Sequence, residues 1–231
     1  KNLKNPFFEI LRKSSGNCFV SEHGHALTYQ NLFILLNKIG GQLRSLELKC
    51  SDTVALVSDN GATAAVSFLA ASSAAIVAQL NPQYSKPEFE YYLKDLNAKV
   101  LLVENHKHSN AREAAFKLGI KVIDISKKSD EQLVNLSKDG VELKALTFEP
   151  NTISDTSLVL HTSGTTSKPK IVPLTVGNIF SSAVNIANTL RLNDNDRYLN
   201  IMPLFHIHGL VAGISSTIVS GGTVICSKGF D

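Results

Sequence analysis

The sequence predicts an α/β fold assembled from parallel βαβ units. Three observations lead there. Short apolar runs alternate with segments of helical spacing, the breaks between them carry Gly, Asn or Pro, and 43% of the 231 residues are apolar against 19% charged. Strands separated by helices cannot pair as hairpins, so they pair in parallel through right-handed crossovers.

Val54 to Val57 reads as a strand, Asn60 and Gly61 as a turn, and Ala62 to Ala71 as an Ala-rich helix. Ala75 to Leu80 is the next strand. Pro87 suits a first helical turn ahead of Phe89, Tyr92, Leu93 and Leu96, whose spacing builds one apolar face. Lys99 to Val103 is a strand, Asn110 to Leu118 a helix stopped at Gly119, and Lys121 to Ile125 another strand. From Ser126 to Asp155 the chain turns polar, with Lys127, Lys128, Asp130, Glu131, Lys138, Asp139 and Gly140, and reads as a surface connection with room for one short helix. The alternation then resumes. Ser157 to His161 is a strand followed by a polar loop, and Thr175 to Leu190 is a helix. Arg197 to Met202 is a strand, His208 to Ser220 a helix before Gly221 and Gly222, and Thr223 to Cys226 a strand. Two subdomains follow, 1–153 with the connection and 154–231. The last strand has no covering helix after it and Lys1 is no initiator Met, so the expectation is a piece of a longer chain, truncated at its C-terminus.

Composition excludes several function classes. Lys and Arg exceed Asp and Glu by 23 to 20, too thin a surplus for a nucleic-acid face. The apolar stretch from Ala62 to Leu80 is broken by Thr63, Ser67, Ser72, Ser73 and Gln79, too polar for a membrane span. Cys18, Cys50 and Cys226 are odd in number and lack CxxC spacing. That favours a reducing compartment, cytoplasmic or peroxisomal.

The segment Thr162, Ser163, Gly164, Thr165, Thr166, Ser167, Lys168, Pro169, Lys170 follows a buried-type strand. Its dense hydroxyl donors, one Gly and two lysines suit a phosphate chain at the carboxyl end of a strand. A solvated Ser/Thr-rich turn has the same composition. A Walker A loop needs Gly-x-x-x-x-Gly-Lys-Ser/Thr, and no second Gly-Lys follows Gly164. Ser167 and Lys170 share the Ser-x-x-Lys spacing of serine acylases, but Pro169 forces Lys168 into extended geometry, against the helical turn that chemistry uses.

Three H-x-H pairs occur, His23 with His25, His106 with His108, and His206 with His208. On a strand each would make half a zinc site, and none has an obvious third ligand near in sequence. His206 stands apart because it follows a strand end and precedes a helix, at the same edge as the hydroxyl-rich loop.

TSGTTSKPK resembles the phosphate-binding signature of the adenylate-forming superfamily of acyl-CoA synthetases, luciferases and peptide-synthetase adenylation domains. GHALTYQNL, LNPQYSKPEFEYYLKDLNAKVLLV and MPLFHIHGL resemble three further segments of that superfamily, in the right order. Ser167 and Ile171 stand where Gly is usual, and Ser167 with the FHIHG segment is most similar to the oxalate–CoA ligase branch. The resemblance implies ATP, Mg²⁺ and CoA, with a small carboxylate as substrate. It implies that Thr162 to Lys170 hold the ATP phosphates, with Thr166 reaching Mg²⁺ through them. Lys170 and His206 become the catalytic candidates, with Phe205, His206, His208 and Met202 beside the acyl group. The family's Mg²⁺-binding acid, ribose Asp, hinge and lid Lys have no counterpart in these residues, so the missing C-terminal region is an expected partner and the fragment alone is expected to be inactive. A non-catalytic nucleotide-binding module, or a medium/long-chain or 4-coumarate-type CoA ligase, remains open as an alternative.

Overall fold

The computed structural model describes residues 4–129, 133–162 and 169–229. Local chemistry starts most helices. Asn5 accepts the Phe7 amide and Pro6 opens α1 (Pro6–Lys13). The Thr28 hydroxyl accepts from Asn31 at the head of α2 (Tyr29–Arg44). Helix α3 (Ala62–Ala74) begins after Gly61, which offers no side chain, so Glu22 accepts the Ala62 amide at 2.8 Å instead. Gly61 holds φ +145°, and a Cβ there would collide with the Glu22 carboxylate. At α4 (Lys86–Asp95), Glu88 accepts from the Ser85 amide and hydroxyl, which holds its carboxyl below the usual range. The remaining helices are α5 (Ser109–Lys117), α6 (Val176–Leu190), capped by Thr175 and Asn178, a π-helix (His208–Ser215) and α7 (Ser216–Val219).

The strands are β1 (Asn17–Val20), β2 (Ala26–Thr28), β3 (Thr53–Val57), β4 (Ile76–Gln79), β5 (Val100–Glu104), β6 (Lys121–Ser126), β7 (Asn135–Lys138), β8 (Val141–Glu142), β9 (Thr156–Thr162), β10 (Lys170–Thr175), β11 (Arg197–Asn200) and β12 (Thr223–Cys226). Eight form one sheet in the order β10-β9-β4-β3-β5-β6-β7-β8, and four form another, β11-β12-β1-β2. In the large sheet β9, β4, β3, β5 and β6 run parallel. Alternation along those strands splits their side chains between two cores. Val54, Leu56, Val77, Val100 and Leu102 face α2 and α3. Ala55, Val57, Ala78, Leu101 and Val103 face α4 and α5 through Phe89, Leu93 and Ala111. Helix α3 is buried on nearly every side, which accounts for an apolar composition without a polar face.

The predicted α/β architecture and the strand of Thr223 to Cys226 agree with the structure. Several expectations need correction. The segment 126–155 is only in part a surface connection. Leu133, Val134 and Leu136 are buried, and β7 and β8 extend the large sheet through a turn at Asp139 and Gly140, both at positive φ. No helix occurs there among the described residues. The expected polar loop ends at Lys170, where β10 begins and pairs antiparallel with β9. The helix expected from His208 starts as a π-helix. Both sheets draw strands from each side of residue 153.

Gln42 holds the β7–β8 hairpin to α2, donating to the Leu143 carbonyl at 2.8 Å and accepting from the Leu136 amide at 3.2 Å. Beside it Gly41 lets the backbone at Leu146 approach, with Leu146 N–H donating to Gly41 O at 3.1 Å. Tyr29, fully buried, donates to Gly222 O at 2.8 Å and ties α2 to the turn before β12; burial pushes its hydroxyl pKa up. All three cysteines are free. No described helix is long and apolar enough to cross a membrane.

Gly41→Ala would drive a Cβ against the Leu146 carbonyl oxygen, so urea unfolding should show a loss of about 1–3 kcal/mol. Tyr29→Phe leaves the Gly222 carbonyl buried without its donor, and the same measurement should read a loss of about 1–3 kcal/mol at unchanged m-value.

Candidate functional site

Parallel strands end together, and here their carboxyl ends form one rim. Leu158 of β9 lies opposite Val77 of β4, so Thr162 reaches about 7 Å past Gln79 at the end of β4. The chain places β4 on one side of β3 and β5 on the other, so the winding direction reverses between β3 and β5. Crevices in wound sheets open at the carboxyl ends beside such a reversal. A cavity of about 740 Å³ opens there, with Asp59, Asn60, Gln79 and Glu104 from the large sheet on one side and Leu204 and Phe205 on the other.

Thr162 and Lys170 are paired across β9 and β10, both exposed, with the Thr162 hydroxyl 3.5 Å from the Lys170 carbonyl oxygen. Lys170 opens a strand, so no helical turn carries it and the Ser-x-x-Lys acylase geometry is absent at that residue. Pro169 is half-buried beside it. Ser163, Gly164, Thr165, Thr166, Ser167 and Lys168 lie outside the described residues. Strand β9 is pinned near its end at His161. The His161 ring nitrogen Nε2 is 2.9 Å from Asp95 Oδ2 at the end of α4, and its ring meets Tyr92 edge-on at 4.6 Å.

Phe205 is half-buried, and its ring lies 4.6 Å from that of His206, which is exposed. His208 is exposed and opens the π-helix, and the Leu210 amide donates to the His206 carbonyl at 3.3 Å. Met202 is half-buried. The structure thus gathers Phe205, His206 and His208 at the entry to the π-helix and Thr162 with Lys170 at the paired ends of β9 and β10. Among the described residues no hydrogen bond or ion pair joins the two groups.

Sequence reasoning missed the residue that fixes the Phe205 turn. Asn60, read only as a turn residue, accepts the Leu204 amide at 3.0 Å and donates to the Ser227 carbonyl at 3.3 Å. Ser227 in turn donates to Asn200 O at 2.6 Å, and Asn200 donates to Met202 O at 3.2 Å. Asn60 therefore joins the end of β3 to the segment that carries His206. Its partners are 144 and 167 residues away in the chain, beyond any local motif. Lys107 was missed as well. It bridges Asp59 and Glu104 at 2.8 and 2.7 Å, hydrogen bonds that push its ammonium pKa up.

The AMP-binding enzyme family model matches residues 8–231. The chain is 37% identical over 202 residues to the probable CoA ligase CCL9 of Humulus lupulus, covering 86% of this chain and 38% of that protein. It is 39% identical over 203 residues to the oxalate–CoA ligase of Arabidopsis thaliana, covering 86% of this chain and 39% of that protein. The chain spans about two fifths of the length of both relatives. Among solved structures, o-succinylbenzoate CoA synthetase (MenE) from Bacillus subtilis, in complex with its acyl-adenylate intermediate, superposes with a TM-score of 0.80 at 26% identity. That match covers 99% of this chain and 57% of that one. With the family model spanning nearly the whole chain, the chain belongs to the AMP-binding enzyme family.

Proposed function

We propose that the chain is the N-terminal portion of an ATP-dependent carboxylate–CoA ligase, which forms an acyl-adenylate and then an acyl-CoA thioester, with oxalate as the acyl donor. The observation that carries the reading is the pairing of Thr162 with Lys170, the two described ends of the hydroxyl-rich segment, at the carboxyl rim of the parallel sheet. Relatives named as CoA and oxalate–CoA ligases support the reaction class and the substrate.

Attack of a carboxylate on the α-phosphate of ATP brings two anions together, so the protein's task is positioning and charge neutralisation. The donor set suits a triphosphate: hydroxyls from Thr162 to Ser167 and the ammonium groups of Lys168 and Lys170 answer phosphate oxygens. Mg²⁺ travelling with ATP would supply further charge neutralisation, with Thr166 beside it. His206, exposed on the Asn60-anchored turn, can donate a hydrogen bond to the acyl carboxylate, and Phe205 gives that group an apolar wall. CoA thiol would then attack the adenylate and release AMP. Three free cysteines suit a reducing compartment such as cytoplasm or peroxisome. Without the family's downstream acid, ribose and lid segments, the 231 residues alone should not turn over.

In the complete protein, pyrophosphate exchange into ATP should depend on oxalate, and Lys170→Ala should lower kcat/KM for adenylation by about 10²-fold, the scale of one lost transition-state donor. Unchanged exchange in that variant would favour a non-catalytic module. Exchange driven by a medium/long-chain acid or 4-coumarate and not by oxalate would overturn the substrate while keeping the reaction.

A further inference from the structure

We propose that Asp59, Glu104 and His108 form a binding site for a divalent transition-metal ion of the zinc class, at the point where the large sheet reverses its winding. Asp59 follows β3 and Glu104 ends β5, two strands paired through Val57 and Val103, so their carboxylates are held by the sheet itself. His108 comes from the turn between β5 and α5. One donor atom from each residue lies within 4.8 Å of the others.

The imidazole is the observation that points to a ligand. The His108 side chain is only 9% exposed, and its buried Nε2 makes no hydrogen bond. A buried ring nitrogen without a partner is costly, and natural proteins seldom leave one so. It faces Asp59 Oδ1 at 3.4 Å. That separation is long for a hydrogen bond. It equals the edge of a tetrahedron whose ligands stand about 2.0–2.1 Å from a central zinc, which is about 3.3–3.4 Å. The outer bonds are in place too. Glu104 Oε1 accepts from the Ser58 hydroxyl and the Asp59 amide, each at 2.6 Å, which fixes the carboxylate's orientation as second-layer bonds do in metal sites. Two carboxylates and one imidazole supply the O and N donors that suit zinc and its neighbours, and the fourth position is left for water from the adjoining cavity.

Lys107 is the rival cation. Its Nζ lies 2.8 Å from Asp59 Oδ2 and 2.7 Å from Glu104 Oε2. The oxygen it takes from Asp59 is not the one that faces His108. Its side chain is about half exposed, on a flexible stem that can swing into solvent. Lysine and metal therefore compete for the same two carboxylates, which fixes the sign of a substitution. The grouping differs from the H-x-H spacing of the sequence: His106 is not one of the three, and His108 joins Glu104, at the end of β5, and Asp59, which follows β3.

The test is zinc titration of the metal-stripped full chain against a chromophoric chelator. Wild type should bind one ion that His108→Ala and Asp59→Asn each weaken at least tenfold, and Lys107→Met should bind at least tenfold tighter. A second readout avoids any variant that folds poorly. Cobalt added to the unmodified chain should broaden the amide NMR signals of Asp59, Glu104 and His108 before those of His23 and His25. If Lys107→Met takes up no zinc, or if His108→Ala holds zinc as wild type does and cobalt broadens His23 and His25 first, the three residues are only a lysine-bridged ion network and the proposal fails.

Discussion

Parallel strands covered by helices on both faces leave only their ends accessible, and that constraint organises this protein. Helices α2 and α3 close one face of the large sheet and α4 and α5 the other. Backbone polar groups are paired within the sheet, side chains fill both cores, and chemistry is confined to the rim. Thr162, Gln79, Asn60, Asp59 and Glu104 reach that rim because their strands run the same way. The pairing of β9 with β4 is the step on which the functional reading turns, since an antiparallel β9 would deliver Thr162 to the opposite edge.

The two sheets are joined by polar contacts as well as by core packing. Glu22, from the small-sheet side, serves as the missing cap of α3, and Gly61 is needed there because any side chain would displace the carboxylate. Asn60 ties the same corner to Leu204 and Ser227. Tyr29 and Gly222 tie the head of α2 to the turn before β12. The turn bearing Phe205 and His206 therefore inherits its position from residues at the head of α3, and a change at Asn60 would be felt at that turn as well as in the cavity that Asn60 lines.

How far the sequence could be read depended on the range of the interaction. Strands β3, β5, β6 and β12 and helices α4 and α5 were legible because their apolar spacing, caps and stops lie within a few residues. Strand β10 was hidden by Pro173, which breaks the pattern of a strand; at the edge of a sheet a missing N–H is tolerated, and β10 is that edge. The hairpin of β7 and β8 was hidden by its charged neighbours. Asp139-Gly140 is a strong hairpin signal in itself, but the strands dock through residues far away in the chain, Gln42 at 94 and 101 residues and Lys38 at 97 residues from Asn135. The phosphate-type loop and the Phe205-His206 turn could be picked out as motifs. Asn60 and the Lys107 bridge could not, because their partners meet only once β3, β5 and the second sheet are assembled.

The central claim is that the segment leaving β9 is where the nucleotide's phosphates are held. A photoreactive ATP analogue carrying its crosslinker on the γ-phosphate, applied to the complete protein and mapped by peptide mass spectrometry, tests this most directly. Labelling within residues 162–170, suppressed by excess ATP, is the result expected. Specific labelling confined to the opposite edge of the sheet, or to residues outside the rim, would contradict the account.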